Sequence, residues 1–343
     1  MRILQVDNMQ IRHYGRVRVS PERTIFNGLI RGNYKVEVFS DRDIATFDAP
    51  FHIKPLGRAA ANRRLLEMVE NFRPEMLLVG HADIITNETL GAARAIVPGL
   101  RIALRNVDPL FDESNVAKIK HRIGHVDAIF VTTSGDPLKQ FWSPTNLVAY
   151  IPNATDAAVE DHDNSTRSDF DWDLLFCGVG NVTDTRYTLV RQLHDAFEGR
   201  DIRFASFGMH GRDAIWGRKY EDTLEASKMG LSLNRFEGWP LYSSDRIAQL
   251  MANGILAFVS AESGLQKFFA EDMLAFFNDK DDLAAKALAF NADDALRRAT
   301  AAKGRAFYRD HFSAERIGQF MVDVTMGRDP ATGCIWGDEV FKN

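Results

Sequence analysis

Cysteine is almost missing: 343 residues hold two, Cys177 and Cys334, far apart and with no CxxC or Cys/His spacing. That excludes a disulfide framework and the common zinc sites, and it suits a reducing compartment, so the cytoplasm is the expected location. No basic surplus exists either, 42 Lys+Arg standing against 47 Asp+Glu for a net charge of -5. Bulk charge of that kind does not hold a nucleic-acid backbone or an anionic membrane, so nucleic acid is not an expected partner. An anionic ligand must instead be met by a few placed arginines, which favours a small-molecule site.

Long hydrophobic runs are also absent. The stretch 255–259 (ILAFV) is broken nearby by Asn253, Glu262 and Lys267, far short of the roughly 18–20 residues of a membrane span. The chain is expected not to cross a bilayer, although it is free to work at the inner face of one. The opening MRILQVD is interrupted by Gln5 and Asp7 and lacks a small-residue cleavage site, so no export is expected. No internal repeat occurs at a period of about 20–50 residues. Neither first-strand turn has the full GxGxxG with an acidic residue about 20 positions on, which sets a nicotinamide dehydrogenase aside.

What the chain does contain is alternation. At 45% hydrophobic residues and roughly 150 residues per domain, two domains are expected. Apolar runs of strand length at 3–6, 36–39, 76–79, 101–104, 128–132 and 148–151 are separated by helical patterns at 22–31, 59–71, 87–95, 115–123 and 137–141. This is the pattern of a parallel sheet covered by crossover helices. The first Rossmann-like domain is read as 1–155, followed by a polar linker or exposed loop at 156–172. A second such domain at 173–325 has strands at 174–177, 202–207, 231–234 and 255–260, with helices at 187–197, 221–228 and 245–252. It ends in helices at 283–290, 293–308 and 314–324, and the tail 326–343 has no assignable conformation.

Two tandem Rossmann-like α/β domains with parallel sheets, a Pro-containing linker and a helical C-terminus resemble the GT-B architecture of nucleotide-sugar glycosyltransferases. Local segments resemble the CgeB-like (spore maturation) branch: 126–136 (VDAIFVTTSGD), 150–156 (YIPNATD), 173–181 (DLLFCGVGN), 226–234 (ASKMGLSLN) and 244–254 (SDRIAQLMANG), then 264–266 (GLQ) and 281–283 (DDL). The resemblance is thin before residue 75. It implies a donor domain in the second half, an acceptor-side domain in the first, and a sugar moved to a saccharide or lipid-linked saccharide acceptor, as in surface-polysaccharide biosynthesis. Two other readings remain: a nucleotide-sugar epimerase of the same fold, and a non-catalytic two-lobed ligand-binding protein.

A glycosyl donor needs hydrogen-bond donors for its phosphates, a grip on its nucleoside, and charge that suits the departing phosphate. Backbone N–H groups at a glycine turn entering a helix supply the first. Gly178, Gly180 and Asn181 sit at such a turn, although glycine turns are common in α/β proteins. Arg186 stands where GT-B enzymes often carry a phosphate-binding cation, and it also reads as a helix-surface arginine. Further on, a strand is expected to end in Asn234-Arg235 and a helix to open at Ser243-Ser244-Asp245-Arg246. Ser244 or Asp245 is a helix cap by residue type; the resemblance adds that this helix start faces the donor phosphate, with Arg235 or Arg246 pairing to it. Where retaining GT-B families have two glutamates, this chain has Leu241 and Gln249. Gln249 retains a hydrogen bond to a ribose hydroxyl but not a charge-assisted one, so UDP-, GDP- and CMP-linked donors all stay open.

In the first domain His81 and Asp83 end a strand at the edge where open α/β sheets bind ligands, and Asp108 ends the next strand. Each is a candidate to touch the transferred sugar or deprotonate the acceptor; a lone histidine is also an ordinary structural residue, and Asp-Pro an ordinary turn. The cationic loop 12–18 (RHYGRVR) offers His13, Arg16 and Arg18 to an anionic sugar, or simply to solvent. Asp41-Arg42-Asp43 has the DxD form of a metal motif but follows the second strand, where that motif does not belong, so no metal or other cofactor is expected. The Phe-rich segments 268–269 and 276–277 read as core.

Overall fold

In the first half the apolar runs become β1 (Arg2–Asp7), β2 (Lys35–Ser40), β3 (Met76–Val79), β4 (Arg101–Asn106), β5 (Ala128–Val131) and β6 (Leu147–Tyr150). They pair in the order β6-β5-β4-β3-β1-β2, every pair parallel. All four residues of β3 and of β5 are buried, as expected of strands covered on both faces. The structure, a computed structural model, describes residues 1–330 and 333–341. It divides into two units: Met1–Pro152 with the chain from Ala314 on, and Asn153–Ser313.

The second unit contains β7 (Trp172–Cys177), β8 (Phe204–Phe207), β9 (Ser227–Leu231), β10 (Leu256–Ser260) and β11 (Ala275–Phe277), in the parallel order β11-β10-β9-β7-β8. Its core is built from Phe176, Leu193, Met229, Leu231 and Phe258. Phe269, Tyr308 and Phe312 pack together, with the Phe269 and Tyr308 rings stacked at 5.9 Å, so these aromatics are core as read. Among the described residues, no helix is long and apolar enough to cross a membrane.

Four expectations are corrected. The helix Ala314–Thr325 belongs to the first unit, not to the second domain. It lies against the helix Pro21–Arg31 so closely that a Cβ on Gly28 would stand 2.2 Å from the Ala314 carbonyl carbon. Glycine inside a helix costs about 1 kcal/mol, and here close packing requires it; Ile317, Phe320 and Met321 are buried in return, each worth about 1.5–3 kcal/mol. The polar stretch 156–172 is not a solvated linker. Asn164 is fully buried and its Nδ2 donates to the carbonyls of Leu224, Glu225 and Ser227 at 2.8–3.2 Å, so polar side chains here satisfy buried backbone.

The helix and strand expected at 221–228 and 231–234 lie earlier, as a helix Arg218–Glu225 and β9. Ser227 and Lys228 hide the strand's start, because Lys228 spends its charge on Asp173 at 2.7 Å. Asn234 therefore stands in the loop beyond β9. Last, the tail supplies β12 (Val340–Phe341), antiparallel to β6 in the first sheet; residues 331, 332, 342 and 343 of that tail lie outside the described residues.

Candidate functional site

In the second unit β7 runs into Gly178 through Asn181, and the helix Thr185–Phe197 follows. A Cβ on Gly178 would stand 2.7 Å from Arg246 Nη2 and 2.9 Å from Phe176 Cζ. Glycine therefore makes room for a guanidinium. Arg246 donates from Nε to Cys177 O at 2.7 Å and from Nη1 to Leu233 O at 3.1 Å and Ser244 Oγ at 2.9 Å. Its guanidinium carbon lies 4.9 Å from the centre of the Phe176 ring. These partners fix its position without neutralising its charge. Burial pushes the neighbouring Cys177 thiol up to about 12, so it stays neutral.

Two more guanidiniums flank the turn. Arg186 donates to Val179 O at 2.5 Å and its Nε lies 3.8 Å from Asp184; Arg235 donates from Nε to the same buried Asp184 at 3.1 Å. Burial, then the nearby charge of Arg246, pushes the Arg186 guanidinium down to about 10, which leaves it charged near neutral pH. Three guanidiniums around a glycine turn with one carboxylate between them suit a diphosphate.

Not every expected donor residue is presented outward. Asn181 Oδ1 accepts from Thr183 N at 2.9 Å and holds the turn. Asn234 is buried: it donates from N and Nδ2 to Glu237, both at 2.9 Å, and accepts from Ser244 N at 3.0 Å. It thus pins the loop that leads to Arg246. Asp245 does not cap the following helix, Arg246–Ala252, with its side chain; its carboxylate accepts from Gln249 Nε2 at 2.6 Å. Gln249 Oε1 in turn accepts from the Tyr220 hydroxyl, so the amide meant for a ribose hydroxyl is engaged inside the unit. Glu237, which sequence reasoning missed, lines a cavity of about 170 Å³ with Thr185, Arg186, Ser260 and Glu262. Burial raises its carboxyl, and Glu262 adds to the shift.

In the first unit the ends of β1, β3 and β4 meet in a buried charge network. Asp7, fully buried, accepts from His81 N at 2.8 Å, Asn8 N at 3.0 Å, Arg105 Nη2 at 3.1 Å and Gln5 Nε2 at 3.3 Å. Arg105 also lies 3.8 Å from Glu22. This anchors the His81 backbone, and the ring stands between two carboxylates, Nε2 at 3.9 Å from Glu22 and Nδ1 at 3.6 Å from Asp108.

His81, Asp83 and Asp108 line one cavity of about 350 Å³, together with Arg42, Arg58 and Lys118. The three separate candidates are thus brought together. Asp83 accepts two bonds from Arg42 Nη2, at 2.6 and 2.7 Å. Burial pushes its carboxyl up, but Arg42 prevails and holds it below the ordinary range, which makes it a poor base. His13, Arg16 and Arg18 are exposed on their loop and are not among that cavity's lining.

The Asp41-Arg42-Asp43 carboxylates have structural work. Asp43 accepts from Ile11 N at 2.7 Å and Arg12 Nη1 at 2.7 Å and so holds the cationic loop. Asp41, pushed up to about 6 by burial, accepts from Ile84 N at 3.2 Å. Among the described residues no group of three or more His, Cys, Asp or Glu is placed to hold a metal ion. Arg58, Lys118 and Arg122 escaped the sequence reading because each sits in a helix where a charged residue is ordinary.

Comparison with known proteins bears on the fold and on the second half of the chain. Residues 179–323 match the family model described as glycosyl transferase-like. No curated protein matches in sequence. Among solved structures, Anabaena HepE in complex with UDP and glucose superposes with a TM-score of 0.61 at 11% identity, covering 95% of this chain and 100% of that one. OtsA in its apo form gives 0.58 at 12% identity, covering 95% and 99%. TarM gives 0.54 at 13%, covering 77% of this chain and 58% of its own. The chain has the GT-B fold, and most of its second unit lies within the segment that matches the glycosyl transferase-like model.

Proposed function

We propose that the chain transfers a sugar from a nucleotide-sugar donor to a saccharide or lipid-linked saccharide acceptor, without a metal, in surface-polysaccharide biosynthesis. It works in the cytoplasm or at the inner face of the membrane, in the manner of the CgeB-like enzymes it resembles. The observation that carries this reading is the convergence of Arg186, Arg235 and Arg246 on the glycine turn Gly178–Asn181, inside the segment that matches the glycosyl transferase-like model. The arginines meet the donor diphosphate and stabilise the charge that grows on it as the glycosidic C1–O bond breaks. UDP is the favoured nucleotide of the three considered, since HepE was solved with UDP and with UDP-glucose.

On the first unit, the acceptor hydroxyl gives its proton to His81 while its oxygen bonds to C1. The nucleoside diphosphate leaves with the electron pair of the broken bond. His81 is favoured over Asp83 because Arg42 holds Asp83 as an ion pair. Asp108, 3.6 Å from His81 Nδ1, stabilises the protonated ring and is the alternative base.

A thermal-shift screen of the full chain against UDP, GDP, CMP and NAD, with and without magnesium, tests the reading, because a ligand of the folded state raises its melting temperature. UDP should raise it equally in both conditions. No response to any nucleotide, or a response to NAD alone, would overturn the reading.

A further inference from the structure

The cavity beside His81 has an unbalanced charge. Arg122 is buried, with 8% of its surface exposed, yet its guanidinium donates only to neutral oxygens: Asn87 Oδ1 at 2.6 Å, Ile85 O at 2.7 Å and Ala82 O at 3.1 Å. Buried charges are ordinarily paired, because an uncompensated one loses its hydration. Burial does weaken the hold of Arg122 on its proton; Asp83 and Asp41 oppose this from longer range, and Arg58 adds to it.

Arg58 and Lys118 line the same cavity. Among the described residues, neither side chain makes an ion pair or hydrogen bond. The carboxylates nearby do not balance the three cations. Asp83 is taken by Arg42, Asp108 faces His81, Glu88 in the lining is hydrogen-bonded to Thr86, and burial pushes Asp41 up to about 6. Three cations from the helices Arg58–Phe72 and Glu113–Arg122 therefore face this cavity without an ion pair to any of the carboxylates, Asp83, Glu88 and Asp108, that share its lining.

We infer that this cavity binds an acidic saccharide as acceptor, with Arg58, Lys118 and Arg122 gripping its phosphate or carboxylate oxyanion while its hydroxyl faces His81. The inference rests on the acceptor role proposed above for the first unit and names the chemical class of that acceptor. A volume of about 350 Å³ falls in the usual range of small-molecule sites, about 300–1,000 Å³, and guanidinium groups match the planar carboxylate and the phosphate in two-point geometry. The oxyanion would complete the ion pairing that Arg122 lacks.

The test is calorimetric titration of the full chain with inorganic phosphate, glucuronate and glucose, done in parallel on the wild type and on Arg58→Gln/Lys118→Gln. Both substituted residues are exposed, so the core keeps its packing, which Arg122→Gln would not guarantee. Phosphate or glucuronate should bind and glucose should not. The double variant should bind the anion roughly tenfold or more weakly, with UDP affinity unchanged. Phosphate the tighter of the two marks a phosphorylated acceptor; glucuronate the tighter marks a uronic acid.

Anion affinity equal in wild type and variant, or no anion binding at all, would overturn the inference. UDP binding that persists in that case leaves the proposed function standing. Anion binding that depends on Arg58 and Lys118 in a protein that binds no nucleotide would do the reverse, retaining an acidic-ligand site and removing the donor.

Discussion

Beneath His81 a buried ion-pair network holds Arg105 between Asp7 and Glu22, and the histidine ring above it lies between Glu22 and the half-exposed Asp108. Around the glycine turn of the second unit, Arg186 and Arg235 share the carboxylate of Asp184, while Arg246 leans on carbonyl oxygens, the Ser244 hydroxyl and an aromatic face. Both regions are strand ends of parallel sheets. The difference lies in what each is built to meet. A buried ion-pair network fixes one ring in place, whereas fixed guanidiniums in excess of carboxylates suit an anion.

The largest effect should come from breaking the matched network. Arg105→Met leaves Asp7 and Glu22 buried without their shared cation and should cost about 3–5 kcal/mol of stability in urea denaturation. A loss below about 1 kcal/mol would mean that the network is not held by charge. Next is a buried carboxyl in the second unit, where matching fails. Burial raises Glu160 to about 7 from the ordinary glutamate range near 4.5. A raised acid keeps its proton longer when folded, so its contribution is full below about 4.5 and is lost as pH rises through about 7. That loss is on the order of 3 kcal/mol. Asp41 contributes with the same sign, so the check is the difference between wild type and Glu160→Gln, whose stability should fall less over that interval.

Smaller again, His81→Ala should lower turnover about 100-fold, near 2.7 kcal/mol, with donor affinity unchanged in the same steady-state series. A matching loss of nucleotide affinity would place the histidine's role elsewhere. Arg246→Ala should weaken UDP binding by about 2 kcal/mol in calorimetry. Because Arg246 also ties Cys177 to Leu233, the melting temperature should fall modestly in the same protein.

Much of this was legible in the sequence. β3 and β5 appear where unbroken apolar runs lie between turn residues, since parallel strands buried on both faces leave that trace, while β1 and β2 are legible despite Gln5 and Glu37 within them. β9 slipped because its first residues, Ser227 and Lys228, are polar, and Lys228 reaches Asp173 from within the sheet. Ala314–Thr325 looked like the next helix of the second domain because periodicity reports a buried face and not the partner it meets. At the sites, Arg186 and Arg246 could be read from their positions around a glycine turn. Arg58, Lys118 and Arg122 could not, since their meaning comes from three helix positions converging on one cavity. Glu237 was hidden for a similar reason: its bond to Asn234 exists only once the loop has folded.

The central claim is that the guanidiniums at the glycine turn bind a nucleotide diphosphate without a metal. Calorimetric titration of UDP in the presence of EDTA, on wild type and Arg186→Gln, tests it most directly. The account predicts binding to the wild type and roughly tenfold or greater weakening in the variant. Equal affinity in the two proteins, or binding that returns only with magnesium, would contradict it.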